Sequence, residues 1–202
     1  YLNQRGIRDE VLDYCVQLGI LYESAPTITL FLLAWMNRDV QGMRSCGESM
    51  TTGERVSGWN RKAVKSSTAF VFRPLGKSCR VAVYEACIDA LAHMTLEGNA
   101  DKYRLSLGGV AAPKEGTRQN VRKMKVPDAL EHFLKQHPEV TEIEICTDHD
   151  FAGRWACEQL KEHYEKEYAV FCNLPPIEGA DYGDLAGQAW EKQQKQRRER
   201  GR

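Results

Sequence analysis

Short apolar segments alternate with segments of helix length between residues 79 and 174, and this alternation constrains the fold more than any other feature of the chain. The apolar segments are rich in β-branched and aromatic residues, which favours strands. The predicted strands cover residues 80–84, 103–107, 142–146 and 168–172, and the predicted helices cover residues 88–96, 126–136 and 152–167. Strands that alternate with helices are typical of an α/β fold with a doubly wound, mostly parallel sheet and helices on both faces.

The residues before this region follow a different pattern. Residues 1–24 carry apolar side chains at roughly helical spacing, which predicts two short helices. Residues 28–74 look antiparallel and irregular, with predicted strands at 29–36 and 69–72 around a loop at 45–67. We therefore expect a smaller N-terminal α+β region at 1–76, an α/β domain at 77–188, and a polar, basic tail at 189–202 that either extends a helix or is disordered.

Composition narrows the class of protein. Hydrophobic residues make up 42% of the 202 residues and charged residues 28%, which is typical of a globular chain. The 28 acidic and 28 basic side chains balance, so net charge gives no indication of a nucleic-acid partner. The seven cysteines form no Cys-x-x-Cys pair, which favours reduced thiols in the cytoplasm. The longest apolar run, at 28–36, is too short to cross a bilayer, so we expect no membrane partner.

Three carboxylates follow two of the predicted strands. Glu85 comes directly after the strand at 80–84, and Asp148 and Asp150 come just after the strand at 142–146. Because the carboxyl ends of parallel strands line one edge of a sheet, we expect these side chains to meet there. Carboxylates that repel one another at close range are stabilised by a divalent cation. The pattern therefore predicts a site for Mg²⁺ or Mn²⁺ that acts on phosphates.

Other acidic residues fit two interpretations. Asp89 lies one helical turn after Glu85, and Asp181 and Asp184 follow the last predicted strand, so all three are weaker candidate metal ligands. Each is also typical of a helix start, where a carboxylate caps N–H groups or favours the helix dipole. The same alternative applies to Asp150, which precedes the helix at 152–167.

Basic and aromatic residues provide candidate contacts for nucleic acid. Arg154 stands at the start of a predicted helix beside the acidic edge, where N–H groups favour an anion. Arg61, Lys62 and Lys65 are weaker candidates for phosphate contacts, with a solvated loop as the alternative. Trp35 and Trp59 are candidates for stacking on bases, with core packing or a partner surface as the alternative. The basic tail is a candidate for nucleic-acid binding, with a solvated helix as the alternative.

Two motifs resemble those of Toprim domains in the form used by bacterial primases. Residues 83–91, with the sequence VYEACIDAL, resemble the glutamate motif of that family. Residues 148–154, with the sequence DHDFAGR, resemble its Asp-x-Asp motif followed by Ala-Gly and a helix. Between them, LSLGG at 105–109 stands where the family has a strand and a turn, here with Gly108 and Gly109 as the turn residues.

The resemblance covers about residues 79–187 and includes DYGDL at 181–185, which is similar to a weaker acidic motif after the last Toprim strand. More loosely, residues 1–74 resemble the region ahead of the Toprim domain in primase-like proteins of mobile elements, through Tyr1-Leu2 and Arg5-Gly6-Ile7. The resemblance implies a Toprim, Rossmann-like sheet. It also implies a catalytic centre in which Asp148 and Asp150 hold the metal and Glu85 acts as a general acid/base or as a metal ligand.

The implied function is Mg²⁺-dependent, primase-like nucleotidyl transfer during mobile-element replication. The implied partners are DNA or RNA, nucleotides, and a helicase or other replication proteins. Two alternatives stay open: a Toprim nuclease that cleaves DNA or RNA phosphodiesters, and a non-catalytic module for nucleic-acid binding or assembly.

Overall fold

The computed structural model of the chain describes residues 2–24, 29–33, 45–46, 50–51, 54–55, 70–110, 112–113 and 124–201. Its central sheet has five strands in the order β10-β9-β7-β8-β6. These strands are β6 Phe70–Phe72, β7 Arg80–Tyr84, β8 Tyr103–Ser106, β9 Glu142–Ile145 and β10 Ala169–Cys172. Four of them run parallel, and β6 pairs antiparallel with β8 at one edge. The prediction of a mostly parallel α/β sheet is therefore confirmed.

Helices cover both faces of this sheet. They are α1 Asp9–Gln17, α2 Cys87–Glu97, α3 Asp128–Gln136, α4 Phe151–Tyr164 and α5 Tyr182–Arg200. On one face, Val81 and Val83 pack in a core with residues of α3 and α4. On the other face, Ala82 and Tyr84 pack in a core with residues of α1, α2 and α5. Because both faces of β7 are buried, its sequence is an almost continuous apolar run.

The N-terminal region contains more strand than the sequence predicts. Residues 21–24 were predicted to be helical, but β1 Leu21–Ser24 pairs antiparallel with β2 Thr29–Leu33. The predicted loop at 45–67 contains β3 Ser45–Cys46, β4 Met50–Thr51 and β5 Glu54–Arg55. Both predictions are wrong because these segments pair with neighbouring strands, β1 and β3 with β2 and β4 with β5, and strand pairing outweighs local helix or loop preference.

A short 3₁₀ turn in the N-terminal region, Asn3–Arg5, packs against α5. Gly6 follows this turn with φ +83°, and a Cβ atom there would lie 2.2 Å from the carbonyl oxygen of Ala186. A side chain at Gly6 would therefore force the turn away from α5. Through this contact the N-terminal turn is held beside the first turn of α5.

The last helix extends through most of the polar tail predicted at 189–202, since α5 continues to Arg200. Of the two alternatives for the tail, a helix extension or disorder, the structure has the helix extension. Among the described helices, none combines the length and the apolar character of a membrane span.

Candidate acidic site at the carboxyl edge of the sheet

The two acidic motifs meet at the ends of neighbouring strands. β7 and β9 are adjacent and parallel, so the residues that follow them emerge at the same edge. There the backbone N–H of Asp148 donates a hydrogen bond of 3.2 Å to Oε1 of Glu85, although 63 positions separate the two residues. The structure thus brings Glu85 directly against the Asp-x-Asp loop, as the sequence analysis expected.

The glycine turn after β8 holds the backbone of Glu85. Gly108 and Gly109 have φ values of +74° and +106°, which side-chain-bearing residues rarely adopt. In this conformation the N–H of Gly109 donates to the carbonyl oxygen of Glu85 at 2.8 Å. The hydroxyl of Ser106 donates to the same oxygen at 3.3 Å. The end of β8 therefore fixes the position of Glu85.

The start of α4 holds the Asp-x-Asp loop equally closely. Asp150 caps the helix, because its Oδ1 accepts a hydrogen bond of 2.7 Å from the N–H of Gly153. The hydroxyl of Thr147 donates to the carbonyl oxygen of Gly153 at 2.9 Å. A Cβ atom on Gly153 would lie 2.0 Å from the carbonyl oxygen of Asp148. Glycine at position 153 is therefore a packing requirement of the loop.

Replacement of Gly153 with alanine tests this close approach. We expect Gly153→Ala to lower the free energy of unfolding by about 1–3 kcal/mol, because the helix must move away from Asp148. The control is Gly187→Ala in α5, where a Cβ meets nothing within 4 Å and should stabilise the helix by up to about 1 kcal/mol. Urea unfolding measures both changes. Equal stability of Gly153→Ala and wild type would contradict the packing argument.

The three weaker acidic candidates lie at the starts of two helices. Asp181 and Asp184 form a capping box on α5: the N–H of Asp184 donates to Asp181 at 2.6 Å, and the N–H of Asp181 donates to Asp184 at 3.4 Å. Asp89, in the first turn of α2, accepts a hydrogen bond of 3.3 Å from the N–H of Gly183. Asp89 therefore joins the start of α2 to the start of α5. The capping interpretation holds for Asp181 and Asp184.

Electrostatics nevertheless links these acids to the main motifs. Burial and the charges of Asp148 and Asp150 raise the pKa of Glu85 to about 7. Burial and the charges of Asp181, Asp150 and Asp184 raise the pKa of Asp148 to about 6. Burial and the charges of Asp181 and Asp148 raise the pKa of Asp89 to about 7. All six carboxyl groups therefore belong to one zone of mutual repulsion.

Within the described part of the chain, no ion pair neutralises this zone. No lysine or arginine there forms an ion pair with any member of what we call the edge acids. The edge acids are Glu85, Asp89, Asp148, Asp150, Asp181 and Asp184. Uncompensated carboxylates of this kind fit a divalent cation better than a structural ion-pair network.

The raised pKa of Asp89 makes a testable statement about stability in the absence of metal. Unfolded, this carboxyl ionises near its ordinary pKa of 3.8, and in the fold its pKa is about 7. Between these values the folded state holds the extra proton, so stability falls as the pH rises. Relative to wild type, we expect Asp89→Asn to be about 2 kcal/mol more stable at about pH 8 and unchanged at about pH 4.

Urea unfolding in a chelating buffer at the two pH values measures this difference. A gain in stability that is the same at both pH values would show that charge is not its cause.

A second cluster of ligand-type atoms lies deeper in the fold. Among the described residues, the one group of three donor atoms within 4.8 Å of one another consists of His93, Glu97 and Glu144. Lys102 Nζ already lies 2.7 Å from both Glu97 Oε1 and Glu144 Oε2, and Arg104 Nη2 lies 2.5 Å from Glu97 Oε2. The lysine ammonium thus takes the position between the carboxylates that a metal would need.

His93 in this cluster is neutral, since burial lowers its pKa to about 4. Its Nδ1 is hydrogen-bonded to the hydroxyl of Tyr84 at 2.8 Å, and its ring stacks on Tyr182 at 4.0 Å between centroids. We therefore interpret the cluster as a self-neutralised ion network beneath the edge acids rather than as a metal centre.

Of the basic residues predicted to contact phosphate, the structure describes Arg154 but not the three in the loop at 45–67. Arg154 lies at the edge, where its Nη1 pairs with Glu178 at 2.9 Å and contacts the carbonyl oxygen of His149 at 3.3 Å. The His149 ring is held by the carbonyl oxygen of Pro175 at 2.7 Å. Arg61, Lys62, Lys65, Trp35 and Trp59 lie outside the described residues.

Sequence reasoning assigned no role to Arg5, which the structure places beside the acids. A Cβ on Gly183 would lie 3.1 Å from Arg5 Nη2 and 3.1 Å from Asp181 Oδ1. Arg5 Nε is buried and has no hydrogen-bond partner among the described residues. The contact of Gly6 with α5 holds the Arg5 guanidinium beside Asp181. The Arg-Gly-Ile sequence at 5–7 was the one feature of the sequence that could have indicated a role for Arg5.

Comparison with known proteins points the same way as the geometry. The model of a family described as Toprim-like matches residues 82–186, a range that contains all six edge acids. The resemblance proposed from the two motifs is thereby confirmed. No curated protein sequence matches this chain.

Two solved structures share the fold. The primase fragment of the bacteriophage T7 primase-helicase protein is 16% identical with a TM-score of 0.52, over 93% of this chain and 69% of that one. The zinc-binding and RNA polymerase domains of Aquifex aeolicus primase are 13% identical with a TM-score of 0.50. That match covers 97% of this chain and 53% of the other, so the chain spans about half of the Aquifex fragment.

Proposed function

We propose, from the premise that this chain belongs to the Toprim-like family, that it is a divalent-cation-dependent nucleic-acid enzyme of the primase type. One observation carries the proposal: six carboxylates gather at the carboxyl edge of the sheet with raised pKa values on three of them. Such a site suits Mg²⁺ or Mn²⁺ and the phosphates that these ions bind.

The edge acids are held in place by the backbone. Glu85, Asp150 and Asp89 each give one carboxylate oxygen to a backbone N–H. No three of the acids' oxygens lie within 4.8 Å of one another in the described residues. With the side chains in these positions, at most two of the carboxylates could bind one Mg²⁺ directly, and water would supply the other ligands.

In the proposed site, Asp148 and Asp150 hold the cation. Glu85 is a further ligand or the group that takes the proton of the attacking hydroxyl. Asp89, Asp181 and Asp184 add negative potential around it. A bound cation would neutralise phosphate charge during nucleotidyl transfer.

Phosphate contacts are available around the same edge. The N-terminal turns of α4 and α5 start there, and helix N-termini favour anions. Arg154 is engaged with Glu178, whose side chain is 78% exposed, so a phosphate can replace this weak partner.

The proposed partners are DNA or RNA and nucleotides. A helicase or another replication protein is proposed as well, because the T7 relative is part of a primase-helicase protein. We further propose a cytoplasmic location and a role in the replication of a mobile element.

A primer-extension assay tests the activity. The chain is incubated with a single-stranded template, a short annealed primer, nucleotides and Mg²⁺ or Mn²⁺, so that extension does not depend on initiation. We expect template-dependent products that are longer than the primer and that disappear with Asp148→Asn. Shortened labelled strands would assign a nuclease instead, and binding without any product would assign a non-catalytic module.

A further inference from the structure

Two cysteines on adjacent elements form a thiol pair away from the edge acids. Cys157 lies on α4 and Cys172 ends β10, and their Sγ atoms are 2.8 Å apart. The two residues are 15 positions apart in sequence. A disulfide bond requires sulfur atoms about 2.0 Å apart, so little movement separates this pair from a covalent link.

The two thiols differ in their access to solvent. Cys172 is exposed, whereas Cys157 has a relative exposure of 3%. Burial and the neighbouring thiol of Cys172 raise the pKa of Cys157 well above its ordinary value. A reagent from solution therefore reaches Cys172 first, and Cys157 stays a protonated thiol beside it.

We propose that Cys157 and Cys172 are a modification site at which a low-molecular-weight disulfide, such as oxidised glutathione, forms an intramolecular disulfide. The Cys172 thiolate attacks the glutathione disulfide, which gives a mixed disulfide on Cys172 and releases one glutathione thiolate. Cys157 then gives its proton to solvent and attacks the Cys172 sulfur, which releases the second glutathione. Two protein thiols are oxidised, and one glutathione disulfide is reduced to two thiols.

The location gives the link a structural effect. Among the described strands, β10 pairs with β9 alone and forms an edge of the sheet. The disulfide would tie β10 to α4, the helix that Asp150 caps. Next to Cys172, the carbonyl oxygen of Asn173 accepts a hydrogen bond of 2.8 Å from the hydroxyl of Tyr182 in α5. Because a disulfide restricts the conformations of the unfolded chain, the cross-link should raise the melting temperature.

The test treats the folded chain with oxidised glutathione and then quenches it with an alkylating agent in denaturant. We expect the intact mass to fall by two hydrogens before alkylation, and peptide mapping to find Cys157 joined to Cys172. The melting temperature should rise and return to its starting value after reduction with dithiothreitol.

Two variants serve as comparisons. Cys172→Ser replaces an exposed side chain and should remove the cross-link and the thermal shift. Cys79→Ser replaces the other exposed thiol of the described residues and should retain both. A link that maps to other cysteines, or a glutathione adduct that persists on Cys172 without reaction of Cys157, would overturn the proposal.

Discussion

Asp148→Asn is expected to abolish divalent-cation binding at the edge acids and to lower nucleotide incorporation by at least about 100-fold, while the chain stays folded. Loss of a group that only orients a metal ligand lowers metal affinity or activity by about 10–100-fold. Loss of a proposed ligand should therefore lower activity by at least about 100-fold. Asparagine keeps the shape of aspartate and removes only the charge. We therefore attribute the expected loss of activity to loss of the bound cation rather than to changed packing.

The same change should stabilise the metal-free protein. Burial and the charges of Asp181, Asp150 and Asp184 raise the pKa of Asp148 to about 6, so its ionised form disfavours the fold at neutral pH. After allowance for solvent screening, we expect Asp148→Asn to gain about 1 kcal/mol of unfolding free energy at neutral pH. Isothermal titration with Mn²⁺, primer extension and urea unfolding measure the three effects.

The matched control is Asp101→Asn, an exposed carboxylate just before β8 and therefore at the opposite edge of the sheet. It should leave binding, activity and stability unchanged. An Asp148→Asn protein that binds Mn²⁺ like wild type, or that loses stability together with activity, would contradict the assignment.

Lys102→Met is expected to destabilise the fold by about 3–5 kcal/mol, because it leaves a buried carboxylate without its partner. Lys102 is 4% exposed and lies 2.7 Å from both Glu97 and Glu144. Burial favours its neutral form, but the hydrogen bonds to Glu144 and Glu97 outweigh burial and raise its pKa. The lysine is therefore charged in the fold, as a counter-ion to Glu144 must be.

Urea unfolding against two further variants isolates this effect. Lys125→Met removes the lysine of an exposed ion pair with Asp128, where the lysine is 82% exposed, and should cost less than about 1 kcal/mol. Lys102→Met combined with Glu144→Gln should recover part of the loss, because no buried charge is then left unpaired. A loss for Lys102→Met as small as that for Lys125→Met would refute the self-neutralised network.

The parallel core was predictable because short apolar segments alternate with segments of helix length, and because β7 is buried on both faces and is therefore almost continuously apolar. The meeting of Glu85 with Asp148 followed from the same rule, since carboxyl ends of adjacent parallel strands share an edge. The bounds of β7 agree with the prediction, and β9 ends one residue earlier than predicted.

The sequence misled or gave no answer where distant residues decide. No pattern in the sequence predicted that Arg104 and Glu144 are buried, which follows because α2 and α5 cover that face of the sheet. No pattern could distinguish capping from charge clustering at Asp181, since the structure contains both at once. The strand at 21–24 was missed although its partner β2 lies within the strand predicted at 29–36, because the helical spacing in residues 1–24 does not show that α1 ends at Gln17.

Crystals of the chain soaked in Mn²⁺ show whether the edge acids hold a divalent cation. We expect an anomalous-scattering peak within coordination distance of an Asp148 oxygen and of an oxygen from Glu85 or Asp150. No peak there at saturating Mn²⁺, or a peak only among His93, Glu97 and Glu144, would contradict it.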